Sequence, residues 1–155
     1  MLNIKVNMKN ETVVVDGMRD LASRFPDAVM RGLERSAAGI FSYAYKWLSG
    51  AGSKKSRIAS GGYPVPVRTG HLRRSLDWLA PGETKTGDLG TFSAGSDEVV
   101  IFDSAEYAPD IFLGLGSSQK FGPRDALRDA LFLFDHGGNI QRVISEEIQK
   151  EINKK

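Results

Sequence analysis

The sequence contains no cysteine among its 155 residues, so disulfides and cysteine-based metal sites are excluded. It has no run of about 18 apolar residues, so we expect no transmembrane helix and no membrane partner. His71 and His136 are its two histidines, and no further ligand is spaced for zinc. It also lacks a Gly-x-Ser-x-Gly elbow and any spacing that suggests a hydrolytic triad. We therefore expect no metal, no cofactor and no enzymatic activity.

The start of the chain lacks the continuous apolar region of a secretory signal, since residues 1–6 alternate between apolar and polar types. A net charge of +2 is too small to mark the whole chain as a nucleic-acid binder. The hydrophobic fraction of 41% and the charged fraction of 26% are ordinary globular values. The length is enough for one sizeable core, so we expect a single domain over residues 1–155.

The first third of the chain combines two short strands with a long helix. Alternation predicts strands at Ile4–Met8 and Thr12–Val15. Apolar residues then recur at steps of three or four from a plausible N-cap at Asp16, which predicts a helix that ends near Ser49. Pro26 should kink or divide this helix, because proline lacks an amide donor and crowds the preceding turn.

The remaining two thirds predict a sheet followed by helices. A helical turn capped by Thr69 should precede an antiparallel sheet over residues 77–113, with Pro109 ending a strand or lying on an edge. Helices are expected over residues 124–134 and from a cap at Asn139 to the end. The order predicts an α+β fold in which the long N-terminal helix and the C-terminal helices pack on a small antiparallel sheet.

Charge and aromatic residues are unevenly placed. The charged residues of residues 50–76 are all basic: Lys54, Lys55, Arg57, Arg68, Arg73 and Arg74. An acidic block follows over residues 77–110, and two such surfaces could meet between neighbouring copies, although both could equally be solvated faces. Glycine- and serine-rich composition predicts mobile loops near 50–66 and 114–122. The aromatics of residues 41–47 must cover more than one helix face, which leaves one face for a partner, and the same holds for residues 131–134.

The last helix carries three acidic residues, Glu146, Glu147 and Glu151, and we expect them to lie on its polar face and to aid solubility. His136 interrupts the preceding helix beside Asp135, and we expect a solvent-exposed or capping histidine there.

Residues 66–76, Pro-Val-Arg-Thr-Gly-His-Leu-Arg-Arg-Ser-Leu, form the most distinctive segment. It resembles the Pro-x-Arg-Thr-Gly-x-Leu-x-x-Ser-hydrophobic element of the head–tail joining (neck, or tail-completion) proteins of long-tailed bacteriophages. The Tyr107-Ala-Pro sequence resembles a later element of that family, and Gly122-Pro-Arg resembles the element that opens its C-terminal helix. Two positions depart from the family pattern: Phe112 and Leu113 stand where Glu is frequent, and Arg124 stands where Phe is frequent.

The resemblance implies a structural virion protein, made in the host cytoplasm, that forms a cyclic ring at the neck between capsid and tail. A hexamer or dodecamer would join the head connector, or head-completion proteins, to a tail terminator or tail tube, with DNA passing transiently and non-specifically through the lumen. The implied interface residues are Tyr63, Arg68, Thr69, Gly70, Leu72, Arg73, Tyr107 and Phe112, with loop contacts from Lys54, Lys55 and Arg57.

The residue types of this segment suit it to binding a partner. Gly70 can adopt angles closed to other residues, and Pro64 and Pro66 hold the approach extended. Arg68 can form a bidentate pair with a carboxylate or a phosphate, either on a neighbour or locally. Two alternatives remain: a nucleic-acid-binding module that uses the basic 54–74 segment, and a tail terminator or minor capsid protein.

Overall fold

The structure, a computed structural model, describes residues 3–6, 12–14, 23–49, 70–115 and 123–154. Its strands are β1 (Asn3–Val6), β2 (Thr12–Val14), β3 (Leu76–Leu79), β4 (Thr84–Gly87), β5 (Gly90–Ser93) and β6 (Glu98–Asp103). Its helices are α1 (Pro26–Trp47), α2 (His71–Arg74), α3 (Ala108–Phe112), α4 (Ala126–Phe134) and α5 (Asn139–Ile152). The predicted α+β class is confirmed, with a long N-terminal helix and C-terminal helices beside small sheets.

The strands form two sheets, of which the larger has the order β2–β1–β6–β3. In it β1 runs parallel to β6, whereas the other neighbours are antiparallel, so the sheet is mixed rather than purely antiparallel. Strands β4 and β5 form a separate hairpin. Val99 and Ile101 of β6 join the main core with α1, and Val100 and Phe102 join a smaller cluster with Phe92 of the hairpin. The central strand is therefore covered on both faces, by helices and by the hairpin.

Helix α1 begins at proline and buries one stripe. Pro26 occupies the first turn, where its missing amide hydrogen is not needed. The predicted division of the helix at this residue is confirmed, because residues 23–24 are helical and residue 25 is not. The predicted start at Asp16 lies outside the described residues. The stripe from Ala28 to Leu48 is almost fully buried, and the helix ends at Trp47, within two residues of the predicted end.

Two glycines allow the C-terminal helices to pack closely against α1. A Cβ at Gly32 would lie 2.7 Å from the Ile144 Cα of α5, so the two backbones approach more closely than a side chain permits. A Cβ at Gly39 would overlap the ring of Phe134 in α4. Small residues at these points let the α4–α5 pair lie along α1.

Ion pairs join α1 to α5 and correct one expectation about the acidic residues. Glu147 is 6% exposed rather than part of a solvated face, because α5 turns it towards α1. It accepts hydrogen bonds from Arg35 (2.5 Å) and Lys150 (2.7 Å), and Arg31 lies 3.6 Å away. The hydrogen bond from Lys150, with help from that of Arg35, outweighs burial and lowers the pKa of Glu147. Glu151 meets Arg31 at 2.7 Å, so it too joins the helices.

Three local predictions were wrong: the sheet does not extend to residue 113, Pro109 does not lie at the end or edge of a strand, and Asn139 is not a helix cap. Strand β6 ends at Asp103, and the expected last strand is instead helix α3, with Pro109 in its first turn. Proline tolerates that position because no intrahelical bond is lost there. Asn139 is the first residue of α5 rather than its cap, and the cap position is Gly138 in a left-handed conformation. The Asp135 carboxylate instead accepts from an amide of this first turn, that of Ile140, at 3.1 Å.

The C-terminal helices otherwise follow the predicted apolar stripes. In α4 the stripe is buried, and the Asp125 carboxylate caps the helix by accepting from the Arg128 amide at 3.0 Å. In α5 the stripe from Ile140 to Ile148 is buried, whereas Ile152 is exposed. The predicted mobile loops fall outside the described residues except for 114 and 115, so their mobility stays a prediction.

Candidate functional site

The candidate site begins at Gly70, which has a φ of 74°, in the left-handed region that glycine tolerates best. This residue occupies the N-cap position of α2, without a side-chain cap bond. Thr69 was predicted to be the cap, and this was wrong, since the chain turns into the helix one residue later. A Cβ at Gly70 would also lie 2.9 Å from an Arg74 guanidinium nitrogen. This guanidinium ends a flexible side chain that can move aside, so the left-handed backbone is the main reason for glycine at this position.

The short helix α2 is held in place by the core and by Tyr107. Leu72 is buried, as are Leu76 and Leu79 of the following strand, which confirms their predicted inward direction. The Leu72 amide donates a hydrogen bond to the Tyr107 hydroxyl at 3.1 Å. The His71 and Tyr107 rings lie 6.0 Å apart. The fold thus joins two sequence elements that lie 35 residues apart.

Arg73 lies on the aromatic surface of α1. Its guanidinium carbon is 5.5 Å from the centre of the Tyr45 ring, and that ring stacks on Phe41 at 5.9 Å. A cation over a tyrosine face is attracted by the ring quadrupole. The Arg73 Nε is buried without a hydrogen-bond partner among the described residues. Arg73, Tyr45 and Phe41 are called the arginine–aromatic surface below.

A second set of exposed apolar side chains lies on α4 and at the end of α1. Phe132 and Leu133 are about half exposed, and Tyr43 is 41% exposed. The Arg128 guanidinium carbon lies 5.4 Å from the centre of the Phe132 ring. Phe41 and Trp47 pack partly against the core. The prediction that these aromatics cover more than one face is therefore confirmed.

His71 contacts a carboxylate on the hairpin. Its Nε2 lies 2.6 Å from an Asp88 oxygen. The Ser75 hydroxyl lies 3.4 Å from one ring nitrogen and 3.5 Å from the other. An oxygen about equally far from both nitrogens lies along neither N–H direction, so this trio lacks the in-line geometry of a serine nucleophile and its base. The His71–Asp88 pair instead connects α2 to the turn between β4 and β5.

Asp103 is a buried carboxyl at the end of β6, beneath α2. One oxygen accepts from the Ala105 amide at 3.0 Å, and the other is buried without a hydrogen-bond partner among the described residues. Burial raises the pKa of Asp103 from 3.8 to about 7. The Ala105 hydrogen bond and the charge of His71 oppose this rise, and the charge of Asp88 adds to it. Removing an ionised carboxyl from water explains the direction.

Of the other predicted site residues, the structure describes some and not others. Leu72 and Phe112 are buried core residues, so neither side chain forms an exposed contact surface. The remaining predicted contacts lie outside the described residues: Lys54, Lys55, Arg57, Tyr63, Arg68 and Thr69. The acidic block is not one free surface, because Asp77 contacts Lys85, Asp88 contacts His71 and Asp103 is buried.

Sequence reasoning missed Asp88 and Asp103. No local spacing connects Asp88 to His71, 17 residues earlier. The sequence gives a weak indication for Asp103, because it directly follows the apolar residues 99–102 and the neighbours of a buried strand are often buried as well.

Within the described ranges, no group of three or more His, Cys, Asp or Glu side chains is arranged to hold a metal ion. Nor does any helix of the described part have the length and apolar character needed to cross a membrane. Comparisons with models of protein families, with curated proteins and with solved structures found no match.

Proposed function

We propose that this chain is a structural virion protein that forms a ring at the neck of a long-tailed bacteriophage and joins the head connector to the tail. The resemblance of residues 66–76 and of residues 107–109 to the head–tail joining family is the origin of this proposal. The observation that carries it is the arginine–aromatic surface, in which Arg73 lies over Tyr45 of the long helix.

The geometry around this surface suits docking. The left-handed Gly70 and the hydrogen bond from the Leu72 amide to Tyr107 hold α2 in place, and α2 positions Arg73. A pre-positioned side chain loses little conformational entropy when a partner binds. Arginine and tyrosine are enriched in interface cores and at energetic hot spots. A partner that covers Tyr45 and supplies an acceptor for the guanidinium would therefore gain both apolar burial and a charge-assisted hydrogen bond.

A second copy of the chain is the proposed first partner. Copies in a cyclic ring present different surfaces to one another, so the arginine–aromatic surface need not pair with itself. The half-exposed Phe132 and Leu133 of α4 offer further apolar area. Free energy would come from apolar burial, with charge pairing setting the register.

The test is the mass and shape of the purified protein. Native mass spectrometry and negative-stain microscopy should show rings of six or twelve times the 17.0 kDa chain mass. Arg73→Ala and Tyr45→Ala should shift the population towards monomers while leaving the circular dichroism spectrum unchanged. Arg142→Ala is the matched control, because this arginine is exposed on α5 and its side chain pairs only with Glu146 and Asn139 of the same helix among the described contacts. It should assemble like the wild type.

Two results would contradict the proposal. The first is a monomer at every concentration up to roughly 100 μM, well above the dissociation constants of stable interfaces. The second is sub-micromolar affinity for duplex DNA at physiological salt, with a steep salt dependence. That result would favour the nucleic-acid-binding alternative, because a lumen that binds DNA tightly would obstruct its passage.

A further inference from the structure

Asp103 lies where three parts of the candidate site meet. In the register of β3 and β6 it is opposite Leu76, the second residue after the end of α2. The next residue, Ser104, donates its amide to the Ser75 carbonyl at 3.0 Å. The carboxyl accepts from the Ala105 amide, which begins the turn that leads to Tyr107. The state of this one side chain therefore bears on two of the attachments of the 70–75 segment, the Ser75–Ser104 bond and the Leu72–Tyr107 bond.

Among the described residues, the surroundings of this carboxyl stabilise a negative charge on it only in part. Its second oxygen is buried and has no hydrogen-bond partner among the described residues. Leu76 lies opposite it, and the buried residues of α1 are apolar except for Ser36. The charged groups that act on it are His71 on α2, which favours its ionised form, and Asp88 in the hairpin turn, which disfavours it. Since the Asp88 carboxylate already lies 2.6 Å from His71, the two acids compete for one imidazole.

We infer that Asp103 acts as a pH-dependent latch beneath the candidate surface. The protonated carboxyl leaves the 70–75 segment closed on β6 and Tyr107, and ionisation of the carboxyl promotes opening of that segment. Opening moves Arg73 away from Tyr45, so the arginine–aromatic surface is best formed in acid. This property belongs to the single chain and holds whether or not the chain forms a ring.

The direction of the effect follows from proton linkage. In the closed state the pKa of Asp103 is about 7, and in an opened, hydrated state it returns towards 3.8. Below the lower value both states are protonated, and above the higher value both are ionised. Between them the opened state binds fewer protons, so the opening constant rises by up to about tenfold per pH unit and then levels off.

Amide hydrogen exchange of the intact chain, followed by NMR, tests the latch. The informative amides are those of Leu72 and Ser104, which donate the bonds that close the segment. After correction for the intrinsic exchange rate, their protection should fall by at least about tenfold between pH 5 and pH 7 and level off by about pH 8. Amides in the middle of α5, such as that of Ile144, should keep constant protection.

Three variants identify the titrating group. Asp103→Asn cannot ionise, so its protection should not change with pH. Asp88→Asn removes a carboxylate that disfavours ionisation of Asp103, so the midpoint of the change in amide protection should move to lower pH. His71→Gln removes the imidazole that favours ionisation, so the same midpoint should move to higher pH. If Asp103→Asn does not fold, the two opposite midpoint shifts and the carboxyl carbon signal of Asp103, which should titrate near pH 7 in the wild type, still test the inference.

Three outcomes would overturn the inference. One is wild-type protection that shows no pH dependence beyond the intrinsic rate. Another is a transition that survives unchanged in Asp103→Asn. The third is a transition that disappears in His71→Gln while the Asp103 carboxyl signal does not titrate near neutrality, which would assign the switch to the histidine.

Discussion

Replacing Gly32 with alanine should destabilise the chain, although alanine is the better helix former. The added methyl group would lie 2.7 Å from the Ile144 Cα and 2.8 Å from its Cγ1, whereas ordinary van der Waals contact begins at 3.4 Å. A backbone atom cannot move aside by changing a rotamer. The α1–α5 pair must therefore separate by several tenths of an ångström, which also disturbs the ion pairs of Glu147 with Arg35 and Arg31.

Two opposing effects set the size of the change. Glycine to alanine in a helix interior gains roughly 1 kcal/mol from propensity. Overpacking a tight core interface costs about 1–3 kcal/mol, and the upper part of that range, about 2–3 kcal/mol, applies here because the strained atoms are main-chain atoms of a neighbouring helix. We expect a net loss of about 1–2 kcal/mol in the free energy of unfolding. For a chain of this length that corresponds to a fall in Tm of roughly 2–8 °C.

Gly39→Ala is the matched control on the same helix. The new methyl group would overlap the ring of Phe134, but this is the far end of a partly exposed side chain that can turn away. The propensity gain should then offset the contact, leaving a change between about zero and a 1 kcal/mol stabilisation. Urea denaturation followed by far-ultraviolet circular dichroism measures both variants. A Gly32→Ala variant as stable as Gly39→Ala would refute the close approach of α1 and α5.

Three further predictions concern stability. Glu147→Gln should lower the free energy of unfolding by about 1 kcal/mol at pH 7, a modest loss because the basic side chains that pair with Glu147 can turn to water. Folding lowers the pKa of Glu147, so the difference between variant and wild type should disappear as the pH falls below roughly 4.3. Denaturation at a series of decreasing pH values measures this. Gly70→Ala and Gly82→Ala should each lower the free energy of unfolding by about 1–2 kcal/mol in thermal unfolding, because both glycines have left-handed backbones and the Arg74 guanidinium near Gly70 ends a flexible side chain that can move aside. Tyr107→Phe should lower the free energy of unfolding by about 1–3 kcal/mol, because the Leu72 amide loses its acceptor. Hydrogen exchange of that amide should become faster, and an unchanged exchange rate would contradict the bond.

Much of the candidate site follows from local sequence, and some of it does not. The glycine that tolerates a left-handed backbone, the inward leucines and a short helical turn all come from residue type and spacing over residues 70–79. The partners of this segment are distant along the chain: Tyr45 on α1, Asp88 on the hairpin and Tyr107 before α3. Periodicity reports which face of an element is apolar, but it does not report which residue of another element that face meets.

The sequence by itself determined the α+β class, the apolar stripes of the long helix and of the two C-terminal helices, and the break at Pro26, because these depend on periodicity and on backbone chemistry within a few residues. Only the tertiary structure decided that β1 runs parallel to β6, that Glu147 is buried against two arginines, and that one Asp103 oxygen is buried without a hydrogen-bond partner among the described residues. A carboxylate looks the same in a sequence whether it faces water or a core. Its environment, and with it its pKa, is set by chain segments that only folding brings together.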